Sequence, residues 1–271
     1  MENFVKLGQD IATLWSEHYS QYLTGALNTI ELAVAATLAG CLIGFICGIL
    51  QTIPCAKTDN PLKKGLLWIL RAVIRIYVEV FRGTPMILQA VFVYFAIPYF
   101  SGNTIRLEMV LASYLVVSIN TGAYMAETVR GGILSIDPGQ TEGAKAIGMT
   151  HFQTMLHVIL PQTLRNILPQ IGNNLIINIK DTSVMFIIGY SELFAVHKGI
   201  TGATYLYFPS AVISMAIYLA MTVICSLILR FMENRMDGPA NFDMATTDTL
   251  AHTSGMVLFP KRKAEKEGVN R

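Results

Sequence analysis

The chain has 271 residues, of which 53% are apolar and only 14% are charged, and its formal net charge is +2. Soluble domains are usually about a quarter charged, so this balance indicates a membrane protein. A charge so close to neutral favours neither a nucleic-acid-binding protein nor a protein with a strongly acidic partner.

A polar start precedes the first long apolar segment. Apolar residues at helical spacing between residues 1 and 24 predict an amphipathic helix lying on the membrane surface, and a frayed terminus is the alternative. Leu32–Leu50 is uncharged, and as a helix of about 28 Å it would cross the hydrocarbon core. Gly40, Gly44 and Gly48 recur there every four residues, which predicts close packing of another helix.

A charged helix leads into the second apolar segment. Arg71, Arg75 and Glu79 recur every four residues, which is typical of a helix that starts at the membrane interface or in the cytoplasm. The usual interpretation of such a pattern is a solvated stripe with pairs four residues apart. As one helix, Leu66–Phe100 would be about 50 Å long, too long for one bilayer crossing. We therefore expect part of it to project into the cytoplasm, with a bend near Pro85.

Three further segments complete a set of five predicted spans. Met109–Ala126 and Phe208–Leu229 are uncharged, whereas Leu164–Gly189 carries polar residues at intervals of three to four. These residues share one face of the helix: Gln170, Asn174, Asn178 and Asp181. Polar groups inside a bilayer usually face a bundle interior or an aqueous path, so this face is a candidate translocation pathway. Hydrogen bonding between helices, or a structural ion pair of Lys180 and Asp181, are the alternatives.

A polar stretch, residues 137–161, interrupts the apolar segments and carries several helix-boundary signals. These are Asp137, Pro138 and Gln140 at a helix start, Gly148 at its end, Thr150 and Gln153 at a second start, and Pro161 beyond it. The pattern predicts a helix, a glycine turn and a second helix outside the lipid. By pattern alone, an ordinary cytoplasmic loop is an equally good interpretation.

Lys and Arg are concentrated in the 51–65 loop with the helix start after it, in the 127–165 loop and in the C-terminal segment. Since such residues favour the cytoplasmic side, five spans would place the N-terminus outside and the C-terminus in the cytoplasm. We therefore expect residues 236–271 to form a flexible cytoplasmic tail.

Five motifs, in order along the chain, resemble those of ABC-importer permeases of the polar amino acid branch. They are FRGTP at Phe81–Pro85 with Gln89 after it, the N…AY.AE..RGG pattern from Asn120 to Gly132, DPGQ at 137–140 directly before EGA at 142–144 with Gly148, LPQ.LRN at 160–166, and KDTS at 180–183. The departure is Gly143, where the EAA motif of the family usually has Ala. Gly at this position costs about 1 kcal/mol of helix stability.

The resemblance implies an all-α membrane protein with the type I ABC importer fold, in which residues 25–235 form a five-span transmembrane domain with a cytoplasmic coupling helix. It implies that the coupling residues contact a cytoplasmic ABC ATPase dimer that binds ATP and Mg. These residues are Glu142, Gly143, Ala144, Lys145 and Gly148. Gln89 joins the polar face of the fourth span as a pathway candidate.

The same resemblance implies three further features of the setting. A second permease subunit, identical or homologous, would complete the pathway. An extracytoplasmic binding protein would deliver the amino acid, and the site would be the bacterial inner membrane.

The sequence contains no G-x-x-x-x-G-K-[ST] phosphate loop, so ATP hydrolysis is expected on a partner chain. It also lacks H-E-x-x-H, G-x-S-x-G and any clustered metal ligands, so we expect no catalytic residue and no metal site. A secondary amino acid transporter driven by an ion gradient is the alternative function. That class commonly shows an internal repeat, which the sequence does not.

Overall fold

The computed structural model describes residues 2–56 and 59–236, which form helices connected by short loops and contain no strand. The predicted all-α class is therefore confirmed for this part of the chain. In chain order the helices are α1 (Glu2–Thr52), α2 (Pro61–Gly83), α3 (Met86–Phe100), α4 (Met109–Leu134), α5 (Pro138–Ala146), α6 (His151–Thr154), α7 (Leu160–Asp181), α8 (Leu193–Thr204) and α9 (Tyr207–Met236). The predicted tail, 236–271, lies outside the described residues apart from Met236.

Helix α1 runs without a break for 51 residues, through the boundary expected after residue 24. Its first half packs into the bundle, because Leu14 and Tyr22 are fully buried in one cluster with Leu193 of α8 and Ile213 of α9. Glycine at position 25 does not end the helix. It lies against α8 instead, where an added Cβ would be 3.0 Å from the Cα of Leu193.

The predicted close packing along the glycine stripe of α1 is confirmed, and the partner is α4. A Cβ added at Gly44 would lie 2.3 Å from the Cβ of Met125, and one added at Gly48 would lie 2.7 Å from Val129 Cγ1. Real Cβ atoms essentially never approach so closely, so only glycine fits. We call this contact the α1–α4 seam; its three glycines are Gly40, Gly44 and Gly48.

The predicted bend near Pro85 is a sharp break: the axes of α2 and α3 differ by 112°. Thr84 is extended, with φ −122° and ψ 146°. The cause is Pro85, whose ring disfavours helical backbone in the residue before it and which has no N–H to donate.

Three described helices, α1, α4 and α9, are long and apolar enough to cross a membrane, and the bent pair α2–α3 makes a fourth if it counts as one span. Helix α7 is not in this set, because amides and charges interrupt its apolar surface. It ends at Asp181, and a 3₁₀ helix, Thr182–Ile188, covers the rest of the expected fourth span. Five spans remain a prediction.

Candidate functional site

Capping bonds shape the polar stretch that follows α4. The Oδ1 of Asp137 accepts a 2.6 Å hydrogen bond from the backbone N–H two residues later, and Pro138 takes the first position of α5. Thr150 and Gln153 form the predicted capping box at the start of α6. The predicted helix–turn–helix is present, and we call residues 137–154 the α5–α6 hairpin.

The turn of the hairpin is closed by backbone bonds around a glycine. Gly148 has a φ of +84°, in the left-handed region that favours glycine. Its N–H donates to the carbonyl of Lys145, and the N–H of Met149 donates to the carbonyl of Ala144, both at 3.0 Å. This pair of bonds is a Schellman motif, which satisfies the last carbonyls of α5 and fixes the turn.

Two details of the hairpin differ from the sequence pattern. Gln140 does not close a capping box; its Oε1 accepts from Gln162 Nε2 at 3.3 Å. The chain also continues past Pro161, through a π-helical turn, Met155–Ile159, that runs directly into α7. In this wider turn the N–H of Leu160 donates to the carbonyl of Met155, five residues back. The π-helical turn lets the chain continue as a helix past Pro161, which has no N–H to donate.

Four of the five residues predicted to contact an ATPase lie on the exposed surface of the hairpin, namely Glu142, Gly143, Lys145 and Gly148. The fifth, Ala144, is only 5% exposed, so its side chain packs inside this chain rather than on the outer surface. Sequence reasoning missed two side chains of this surface. Ile147 is 79% exposed and Phe152 is 73% exposed, each on one side of the glycine turn.

The helix break is held by one glutamine. Gln89 Nε2 lies 2.9 Å from the carbonyl oxygens of Phe81 and Thr84 and from Thr84 Oγ1. Its Oε1 accepts from Asn120 of α4 at 3.0 Å. Gln89 is 8% exposed, so these bonds engage both ends of its amide and fix the break against α4.

A cavity of about 290 Å³ lies between this break, α4 and α7, and we call it the amide cavity. Three of the five predicted pathway residues line it: Asn174, Asn178 and Asp181. The other lining residues are Thr84, Pro85, Met86, Asn120, Thr121, Tyr124 and Ile177. Gln170 and Gln89 do not line the cavity. The polar face of α7 thus lines this cavity from Asn174 to Asp181, with Asn174 and Asn178 buried and Asp181 exposed.

Asn178 also bonds neighbouring helices. Its Nδ2 lies 2.7 Å from Thr37 Oγ1 of α1 and 3.0 Å from Thr121 Oγ1 of α4. Asn174 Nδ2 lies 3.2 Å from the sulfur of Met125. Asn178 therefore fits both interpretations of this face, because it lines the cavity and also bonds neighbouring helices. In the described residues no ion pair joins Lys180 to Asp181.

A charged cluster lies beside the amide cavity. Arg82, at the end of α2, forms an ion pair with Glu127 of α4, and Arg130 Nη2 lies 3.5 Å from the same carboxylate. The guanidinium of Arg82 also lies over the ring of Tyr124, 5.3 Å from its centre. Tyr124 lines the amide cavity and Glu127 lines a second cavity, so the cluster separates the two spaces.

The second cavity has a volume of about 540 Å³ and lies between the end of α1, α2 and α4. We call it the charged cavity, because three arginines and two glutamates line it: Arg71, Arg75, Arg130, Glu79 and Glu127. The other lining residues are Gln51, Thr52, Ile53, Pro54, Val78 and Leu134. The charged face of α2 thus lines this cavity, with Arg71 half-buried and Arg75 and Glu79 exposed at its mouth.

Glu192 is a buried carboxyl group that sequence reasoning did not single out. It caps α8, accepting from the N–H groups of Phe194 and Ala195 at 2.7 and 2.6 Å, and Tyr218 Oη donates to it at 2.8 Å. Burial raises the pKa of Glu192 to about 7, and these hydrogen bonds oppose that rise. The carboxyl group thus joins the start of α8 to α9.

The fold and sequence agree with those of known transport proteins. A crystal structure of an amino acid ABC transporter with histidines matches with a TM-score of 0.69 and 31% identity, over 81% of this chain and 96% of that one. Inward-facing structures of the MetNI methionine ABC transporter share the fold, with a TM-score of 0.60 at 21% identity over the same shares of the two chains.

Sequence relatives point the same way. The glutamine transport system permease protein GlnP of Escherichia coli K12 is 38% identical over 216 residues, which are 79% of this chain and 92% of the relative. The putative GlnP of Rickettsia bellii is 32% identical over 78% of this chain and 91% of its own length. Residues 64–238 match the family of binding-protein-dependent transport system inner membrane components. The resemblance to ABC-importer permeases is confirmed, and the chain belongs to that family of inner membrane components.

Proposed function

We propose that this chain is the permease subunit of an ATP-driven, binding-protein-dependent importer of a polar amino acid, with glutamine as the first candidate. The family membership supports the general role. The candidate cargo is supported by the glutamine permease relatives, which cover most of both chains.

In the proposed arrangement α7 is the additional membrane span, which brings the number of spans to five. Its polar face would be shielded from lipid by α1 and α4, to which Asn178 bonds, and by a second permease subunit. The distribution of Lys and Arg supports an N-terminus outside the bacterial cell membrane and a C-terminus in the cytoplasm. The α5–α6 hairpin is then cytoplasmic.

The observation that carries the coupling role is the exposed surface of the hairpin. Ile147, at the end of α5, and Phe152, in α6, expose large apolar side chains on a hairpin that also exposes Glu142 and Lys145 and is fixed by caps. Exposed apolar groups rimmed by charges are typical of protein-binding surfaces. In our proposal this surface binds an ATPase dimer, which holds ATP and Mg, and Ala144 anchors the helix from beneath.

The amide cavity is the proposed path of the solute, between this subunit and a second, identical or homologous permease. Its amides and its one carboxylate supply hydrogen-bond donors and acceptors of the kind that orient a small polar solute. An extracytoplasmic binding protein would deliver the amino acid. Nucleotide can move the path between states only through contacts that differ between them, and the hairpin surface is where such contacts would be made.

The direct test is Glu142→Lys in the complete transporter. We expect the variant to insert into the membrane but to lose ATPase co-purification and ATP-dependent amino acid uptake, each by at least tenfold. Glu17→Lys, an exposed acidic position in the first half of α1, is the matched control and should behave as wild type. If Glu142→Lys assembles and transports as well as the control, the coupling role of the hairpin is wrong.

A further inference from the structure

The charged cavity holds side chains that the proposed path does not use. Glu127 already pairs with Arg82 and lies near Arg130. Arg71 donates from Nη2 to the carbonyl of Ile53, which fixes its guanidinium at the wall. Arg75 and Glu79, by contrast, make no ion pair with any described residue. One exposed cation and one exposed anion thus line the same cavity without an ion-pair partner among the described residues.

Their spacing is suited to a ligand with both charges. Arg75 and Glu79 are one helical turn apart, about 6 Å along α2. Side chains four residues apart lie on the same face, and here that face lines the cavity. A free α-amino acid carries its ammonium and its carboxylate on one carbon. It can therefore pair with both side chains at once, whereas a ligand with a single charge could pair with only one of them.

We propose that the charged cavity is a binding site for a free α-amino acid, separate from the amide cavity. The carboxylate is held by Arg75, with Arg71 one turn away, and the ammonium is held by Glu79. The volume of about 540 Å³ is in the range of small-molecule sites and leaves room for a side chain.

The mixed lining argues against the simpler ligands. A phosphate-type anion would meet the arginines but would be repelled by the carboxylates of Glu79 and Glu127. A simple cation would be repelled by three arginines. A zwitterion can form charge-assisted hydrogen bonds of both signs at once.

The charged cavity lies at the end of the bundle that carries the α5–α6 hairpin. Leu134, the last residue of α4, lines it, and α5 begins four residues later. The cavity therefore lies next to the α5–α6 hairpin, and the Arg82–Glu127 pair lies between it and the amide cavity. An amino acid bound here would occupy the end of the bundle that carries the hairpin, whether or not the amide cavity carries the solute.

The test is equilibrium binding to the purified, nucleotide-free transporter, with the permease in complex with its ATPase. The probes are L-glutamine, L-glutamate, L-arginine and L-leucine. We expect at least one to bind in an Asn178→Leu background, which disables the amide cavity. Arg75→Gln and Glu79→Gln should each weaken that binding at least tenfold. Lys63→Gln, on the same helix but outside the cavity, should leave it unchanged.

N-acetylation removes the ammonium and supplies the internal control. The N-acetylated probe should bind wild type at least tenfold more weakly than the free amino acid, and Glu79→Gln should not weaken it further. The proposal is overturned if no probe binds, or if the Arg75 and Glu79 variants bind like Lys63→Gln.

Two competitors identify other ligands. Displacement of the amino acid by inorganic phosphate, with tighter phosphate binding in Glu79→Gln, would show an anion site instead. Loss of amino acid binding in phosphatidylethanolamine nanodiscs, but not in phosphatidylcholine nanodiscs, would show a lipid headgroup site instead. Failure of the proposed transport function would appear as loss of uptake. The binding measurements described here do not depend on uptake, so the two failures can be told apart.

Discussion

The two sides of α4 are built in opposite ways. Toward α1, the α1–α4 seam is so tight that an added Cβ at Gly44 would overlap Met125. Toward α7 and the helix break, α4 faces the amide cavity, about 290 Å³ lined by amides and a carboxylate. The difference shows where the bundle can change shape: a close-packed contact has no room to slide, whereas a polar space can open and close.

Filling the seam should have the largest effect. Gly44→Leu forces a branched side chain into backbone and side-chain atoms of α4, and we expect a loss of about 3 kcal/mol of stability or more. Thermal unfolding of the purified complex measures this loss. Gly143→Ala is the control, because nothing lies within 4 Å of an added Cβ there, and it should stabilise α5 slightly. Equal melting temperatures for the two variants would show that the seam is not close-packed.

Away from both sides of α4, the buried carboxyl group of Glu192 at the start of α8 makes the stability depend on pH. Because the pKa of Glu192 is raised to about 7, the folded chain keeps a proton between pH about 4.5 and about 7 that the unfolded chain has lost. The free energy of unfolding therefore falls as pH rises through this window, by up to about 3 kcal/mol, and is unaffected by this group above it.

Unfolding of wild type and Glu192→Gln across this pH range measures that contribution. The variant should lose the decline, and the exposed Glu17→Gln should keep it. A decline that persists unchanged in Glu192→Gln would assign the titration to another group.

Substitutions in the amide cavity are expected to change amino acid uptake more than they change the free energy of unfolding. Asn178→Leu removes the bonds to Thr37 and Thr121, leaves buried hydroxyl groups with fewer partners, and should cost about 2 kcal/mol. Asp181→Asn keeps the shape of an exposed side chain and should cost almost nothing.

Both substitutions line the amide cavity, so both should reduce amino acid uptake by reconstituted transporter. Stability and uptake measured together separate the two interpretations of this face. If Asn178→Leu unfolds more easily and Asp181→Asn transports normally, the face serves only to bond the helices.

Local pattern was enough to predict the elements whose causes are local. The glycine stripe of α1, the caps at Asp137 and Thr150, and the bend at Pro85 depend on residues within one or two turns. The family motifs added the overall fold, which no periodicity in the chain could specify.

The sequence pattern could not predict contacts between residues that are far apart in the chain. The pair of Arg82 and Glu127 joins α2 to α4, and the amide of Gln89 is engaged within the break and by Asn120 rather than lining the cavity. The burial of Ala144 depends on how the hairpin folds back on its own chain. The sequence pattern also did not show that α8 and α9 pack against the first half of α1.

Uptake by proteoliposomes tests the central claim most directly. The purified chain would be reconstituted with and without an ABC ATPase partner, a second permease if one is needed, and a binding protein. We predict glutamine uptake only when the ATPase and ATP are both present, and no uptake driven by an ion gradient alone. Uptake by the chain without an ATPase, powered by a proton or sodium gradient, would contradict the account.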